Sequence, residues 1–348
     1  MIRIGYFRTK RNIILFYVSF ERVFMEGSTD YMKQKEYFPW RPVHVCQKGV
    51  GGQLLFYCLQ DRLVYYTVFC TEARKYEVKT LALCLMYNHV HAFIMIKSKE
   101  VMSNFNKTVQ MIYAREFSKA SSIPGQVFLH SFVWAHKSTD KEVRNCLAYI
   151  ANNPVEKQLV NNVLDYQWNF VRYALSDHPF SPSIKLRNAS RRLRRSVARV
   201  RAFHQADRFL SHAMLDELFA GLSSMEQRQL SDFIISQYSA IDHKAAAQYW
   251  GGIERMAASY QIVSGSEYDI SEEKEDDIPY RNMLREVRRR GYRGTDYQYL
   301  RESGNTFQQW FFDLQCIAPR WQVLRFLHLR PVPSRDPLEL RPPGLVFI

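Results

Sequence analysis

The sequence predicts an α+β fold: an antiparallel sheet with packed helices, continued by a mainly α-helical C-terminal region. Three observations carry this expectation. Between residues 40 and 175, apolar or β-branched runs alternate with helix-periodic segments in the order strand, helix, strand, strand, helix, strand. That is the order of a ferredoxin-like split βαβ sheet. After Pro179 and Pro182 the strand signals stop and the leucine spacing turns helical. The chain of 348 residues has room for two domains of roughly 100–200 residues each.

Each element has a local reason. Pro42 to Gln47 alternates valine with polar residues and runs into Lys48-Gly49, a strand followed by a glycine turn. Asp61 to Tyr76 reads as a helix capped by Asp61, with Leu63, Thr67, Phe69 and Cys70 at helical spacing. Val78 to Met86 and His89 to Ile96 are apolar runs broken by Tyr87-Asn88, two antiparallel strands joined by a tight turn. Ser103 to Ala120 reads as a helix capped by Ser103, and Phe128 to His136 as a strand. Asp140 to Asn153 is a helix expected to stop at Pro154. The sheet is complete before residue 175, so this region is expected to fold without the C-terminal half of the chain.

Composition narrows the partner. Lys plus Arg outnumber Asp plus Glu by 48 to 34, a net charge of +14. A polyanion is the expected partner, nucleic acid first and an anionic membrane surface second. No run approaches the ~18 apolar residues of a spanning helix. The cysteines (Cys46, Cys58, Cys70, Cys84, Cys146, Cys316) form no CxxC pair, which excludes a zinc framework and a disulfide scaffold. Most lie among apolar neighbours, so a reduced, cytoplasmic chain with buried thiols is expected. Arg8, Lys10 and Arg11 precede an apolar run from Ile13 to Phe20, but no small-residue cleavage site comes after it. Residues ahead of Met25 are expected to be a loose extension, with Met25 and Met1 both open as starts.

Two short motifs concentrate the chemistry. In His89-Val90-His91, strand alternation sends both imidazoles to one face about 7 Å apart. Such a pair can share a divalent cation such as Mg²⁺ or Mn²⁺. The pattern alone also fits two histidines on a half-exposed sheet. In Tyr149-Ile150-Ala151-Asn152-Asn153-Pro154, Tyr149 and Asn153 stand one helical turn apart on one face. Asn153 can offer an amide oxygen to a metal and Tyr149 a hydroxyl beside it. An ordinary packing tyrosine and helix-terminal asparagine give the same pattern. Tyr113 is the alternative nucleophile, but its i+4 neighbour is Phe117, which binds no metal.

LMYNHVHAFIMI, then YIANNPVEKQLV about 60 residues later, then DYQWNFVRYAL resemble the single-tyrosine HUH transposases. The REP-associated tyrosine transposase branch of the IS200-like group is the most similar. RPVHVCQKG resembles that family's first strand, and the likeness covers roughly residues 40–175. Tyr87 departs from it, since many members have proline there. The resemblance implies an HUH-nuclease sheet, with His89, His91 and Asn153 as ligands of Mg²⁺ or Mn²⁺. It implies Tyr149 as the nucleophile on single-stranded or hairpin DNA, leaving a 5′-phosphotyrosine link and a free 3′-OH. Two other readings stand beside it: a domesticated DNA- or RNA-binding protein that needs no catalysis, and a two-histidine metallophosphoesterase using water.

The expected organisation is an N-terminal extension over 1–39, an HUH-type domain over 40–178, and a basic linker or helix over 179–206. A helical domain over 207–330 and a Pro-rich tail over 331–348 complete it. Eight basic residues between Lys185 and Arg201, with no acid until Asp207, suit phosphate tracking. Arg191, Arg192, Arg194 and Arg195 are the DNA-binding candidates there. An acidic stretch runs from Glu267 to Asp277, and Arg281 to Arg293 is basic again. Phe307 to Leu329 reads as two short helices, either a helix-turn-helix or an ordinary hairpin. In the first case Arg320, Gln322 and Arg325 face a major groove. Trp134, Tyr166, Trp168 and Phe170 can stack unpaired bases or pack in the core. A monomer or a homodimer is expected.

Overall fold

The computed structural model describes residues 36–50, 54–121, 126–129 and 132–262, and beyond them Met283, Glu286, Arg289 and Leu314. The N-terminal residues to 35, the acidic stretch 267–277, the 307–329 segment apart from Leu314, and the Pro-rich tail lie outside the described residues. So do Cys316, Arg320, Gln322 and Arg325.

Four antiparallel strands form one sheet: β1 (Val43–Lys48), β2 (Lys79–Leu85), β3 (His89–Met95) and β4 (Val133–His136), in the order β2-β3-β1-β4. This is the split βαβ order that the sequence predicts. Helices α1 (Leu59–Lys75) and α2 (Lys99–Ser121) come after β1 and β3, and α3 (Asp140–Glu156) after β4.

Strand alternation assigns the two faces. Gln47 shares its face with Val43 and Val45, and its side chain bonds Tyr65 of α1 and Asn106 of α2. That face is therefore covered by α1 and α2. His44 and Cys46 point to the other face, where the rings of His44 and His91 meet Tyr149 of α3.

Several element boundaries differ from the sequence expectation. The cap of α1 is Cys58, not Asp61. Asp61 stands one turn in, and its carboxylate accepts from the Tyr57 and Cys58 amides. Helix α2 begins four residues before Ser103, and the Ser98 hydroxyl accepts from the Val101 amide. Helix α3 runs through Pro154 to Glu156. The Lys157 and Leu159 amides still bond the Asn153 and Pro154 carbonyls, so the helix carries on past the proline, which forfeits its own amide bond to the preceding turn. Strand β4 is shorter than predicted, and Phe128 makes only an isolated bridge to Gly49.

Beyond residue 180 come α4 (Arg191–Gln205), α5 (His212–Phe219), α6 (Ser224–Tyr238), α7 (His243–Gln248) and α8 (Ile253–Ile262). Ser190, Ser211, Ser223 and Asp242 cap the first four of these, each side chain accepting a first-turn amide. Leu215, Leu218, Leu230 and Ile234 are buried, as their spacing predicts.

These helices pack onto the sheet region. Helix α6 lies on α1, where the Tyr66 hydroxyl bonds the Ile235 carbonyl and Arg74 bonds the Tyr238 carbonyl. The Leu210 amide donates to Thr67, and the buried His212 imidazole meets Asp61 at 2.8 Å. Helix α1 is consequently buried on nearly all sides. The expectation that the sheet region folds alone does not agree with this packing, because its central helix has its outer face covered by later chain. At the β2 edge, Ile241 bridges Thr80, the Asp242 amide bonds the Thr80 carbonyl, and α7 and the turn around Trp168 pack alongside.

Candidate active site

The site is built on the sheet face that α3 covers. His89 and His91 are the first and third residues of β3, opposite Lys48 and Cys46 of β1. Their rings lie 4.7 Å apart, centroid to centroid. The Tyr149 ring stands 5.5 Å from that of His91, edge-on at 76°. Asn153 stands one turn later on the same helical face. The structure thus brings His89, His91 and Tyr149 into one cluster, with Asn153 beside the tyrosine.

Helix α3 is held at its start by a capping box. The Thr139 hydroxyl accepts from the Glu142 amide, and the Glu142 carboxylate accepts from the Ser138 and Thr139 amides. Those bonds hold the Glu142 carboxyl below the usual range. Cys146, one turn before Tyr149, is no rival nucleophile. Burial pushes its thiol up to about 12, against a weaker pull from Lys137.

Each histidine is fixed through Nδ1. His89 Nδ1 lies 2.7 Å from Asn88 Oδ1, and His91 Nδ1 lies 2.9 Å from His44 Nε2. An amide oxygen only accepts, so His89 carries its proton at Nδ1 and offers Nε2 as a lone pair. Sequence reading missed Asn88 and His44. The only signal was a histidine between two buried valines of β1.

The residues present fit a divalent cation. Both side-chain polar atoms of Asn153 are buried with no hydrogen-bond partner. An unsatisfied buried polar group costs about 1–3 kcal/mol, and an incoming ligand relieves it. Among the described residues no three His, Cys, Asp or Glu side chains converge. A cation here would depend on the two imidazoles, the Asn153 amide oxygen, and oxygens from water or phosphate.

Tyr113 is not brought to this site. It lies on α2, on the other side of the sheet, and its hydroxyl donates to the Leu55 carbonyl among Phe56, Tyr65 and Phe128. Trp168 and Phe170 are core residues, and Tyr166 is buried with its hydroxyl on the Leu85 carbonyl. Trp134 is half-buried against Tyr37 and His136. Tyr87 is buried in the turn before the histidines, where its carbonyl accepts from the Leu55 and Phe56 amides.

Arg191, Arg192, Arg194 and Arg195 are exposed on α4. Arg192 donates to the Gly221 carbonyl, and with Arg195, Arg199 and Glu217 it lines a cleft of about 340 Å³. Helix α4 packs on α6, and α6 on α1, so this basic face lies on the opposite side of the sheet from the histidines.

Among the described residues no helix is long and apolar enough to cross a membrane. No curated protein matches the chain. A solved structure described as "Structure of the REP associates tyrosine transposase bound to a REP hairpin" is similar at 13% identity and a TM-score of 0.36, covering 42% of this chain and 86% of that one. Residues 58–153 match the family model described as "Transposase IS200 like". That segment, similar to the IS200-like transposases, holds His89, His91, Tyr149 and Asn153.

Proposed function

We propose that the protein nicks and rejoins single-stranded or hairpin DNA through Tyr149. The observation that carries this reading is the meeting of the His89–His91 pair with the Tyr149 ring on one sheet face. The tyrosine oxygen attacks the scissile phosphorus. The new O–P bond forms as the bond to the 3′ oxygen breaks, the phenolic proton leaves, and the 3′ oxygen takes up a proton. One end is then a free 3′-OH and the other a 5′-phosphate esterified to Tyr149. One diester replaces another, so attack by a 3′-OH restores the strand without ATP.

His89 and His91 through Nε2, and Asn153 through Oδ1, would hold Mg²⁺ or Mn²⁺. Bound there, it would supply Lewis-acid polarisation of the phosphate and stabilise the developing charge, so that even a weakly nucleophilic phenol could attack. All four side chains are largely buried.

Arg191, Arg192, Arg194 and Arg195 supply sequence-independent phosphate contacts in this reading. Their face is separated from the sheet by α1 and α6. Helix and sheet layers stack at about 10 Å each, so the separation is about 20–30 Å. They would therefore grip nucleic acid flanking the cleavage point rather than the scissile phosphate.

The test is a labelled single-stranded hairpin incubated with protein and Mn²⁺ and run on a denaturing gel. A protein–DNA adduct that disappears in Tyr149→Phe is expected, with DNA binding retained. An adduct that survives in Tyr149→Phe moves the nucleophile elsewhere. Cleavage without an adduct replaces the phosphotyrosine route by attack of water.

A further inference from the structure

We propose that His44 is a positioning residue for this site, setting the tautomer of His91 and bracing the Tyr149 ring. The inference rests on the proposed cation site. His44 lies on β1, diagonal to His91 across the β1–β3 pairing, since Cys46 is the residue opposite His91. Both imidazoles are buried, at 1% exposure. The bond between His44 Nε2 and His91 Nδ1 is 2.9 Å.

A bond between two neutral imidazoles needs one N–H and one lone pair, and this pair can be arranged in two ways. When His44 accepts, His91 is protonated at Nδ1 and its Nε2 carries a lone pair. When His44 donates, His91 is protonated at Nε2 and cannot bind a cation there. Only the first matches the neighbouring ligand, whose Nδ1 faces the acceptor Asn88 Oδ1 at 2.7 Å. His44 and Asn88 thus play one part for two ligands, each taking the Nδ1 proton so that Nε2 is presented.

The second contact concerns the nucleophile. The His44 ring lies 6.0 Å from the Tyr149 ring, edge-on at 72°, while Tyr149 is 5.5 Å from His91. One side chain therefore touches both the ligand and the tyrosine. Its removal loosens the distance between them as well as the tautomer.

The inference is tested by Mn²⁺ binding, read from the paramagnetic resonance of free Mn²⁺, in wild type, His44→Gln and His44→Phe. Glutamine keeps an acceptor at the Nε2 position, and phenylalanine keeps the ring without one. His44→Phe should weaken Mn²⁺ binding about 10- to 100-fold, with His44→Gln much closer to wild type. His44→Phe binding Mn²⁺ like wild type overturns the inference and leaves the cation site standing. A wild type that binds no Mn²⁺ brings down both. A second measurement needs no variant: long-range ¹⁵N–¹H spectra of the wild-type imidazoles should show His91 protonated at Nδ1. Protonation at Nε2 overturns the inference even if His44→Phe fails to fold.

Discussion

His212 and Asp61 stand 151 residues apart in the chain and meet at 2.8 Å, both side chains buried. Asp61 also takes the Tyr57 and Cys58 amides, so one carboxylate ties the start of α1 to the start of α5. The helices after residue 180 are thereby part of the structure that supports the site.

His212→Leu is expected to lower stability by about 1–3 kcal/mol, because it strips one partner from a buried carboxylate. Urea unfolding followed by circular dichroism measures this. Truncation after residue 179 goes further, uncovering the outer face of α1. The truncated chain should be insoluble or unfold without cooperativity, and a sharp thermal transition near that of the full chain would disprove this.

His89→Ala and His91→Ala should each abolish metal-dependent cleavage, and EDTA should do the same to the wild type. Asn153→Ala should act more mildly, since water replaces a neutral oxygen ligand. Single-turnover cleavage across a Mn²⁺ titration separates the cases: the asparagine variant recovers at high Mn²⁺ and the histidine variants do not.

Replacing Arg191, Arg194 and Arg195 together by glutamate should weaken duplex binding and flatten its salt dependence. Each lost phosphate contact removes about 0.9 from the slope of log affinity against log salt, so a change of about 2–3 is expected. Fluorescence anisotropy at several salt concentrations reads it. An unchanged slope would remove α4 from the nucleic-acid contact.

His243 gives the stability a pH dependence. Its Nε2 is buried without a hydrogen-bond partner, and burial pushes the imidazole down to about 4, outweighing the opposing pull of Asp242. The folded chain therefore refuses a proton that the unfolded chain accepts below the ordinary value near 6.5. Stability from this source is complete above pH 6.5 and drains away as the pH falls toward 4. The urea midpoint should fall across that window, and less so in His243→Gln.

The sheet and the grouping of His89, His91 and Tyr149 were legible because they rest on local periodicity. Alternation placed His89 and His91 on one face, and helical spacing placed Asn153 one turn from Tyr149. The supporting residues rest on contacts between distant segments. Nothing near His44 announces that it reaches His91 across 47 residues, and nothing near Asp61 points to His212. Asp61 does offer a capping signal, but from within the first turn, with Cys58 as the cap. Pro154 misled for the opposite reason: a proline costs one amide bond to the turn before it, but here the chain beyond it still closes through the Lys157 and Leu159 amides.

The two borders of the sheet are unequal. Ile241, α7 and the Trp168 turn close the β2 side, while among the described residues β4 pairs only with β1. Unpaired backbone groups along an outer strand invite another strand to dock. Judged on the described residues, growth of this sheet by a further strand is thus one-directional. It would proceed past Val133 to His136, and the chain itself bars the other side.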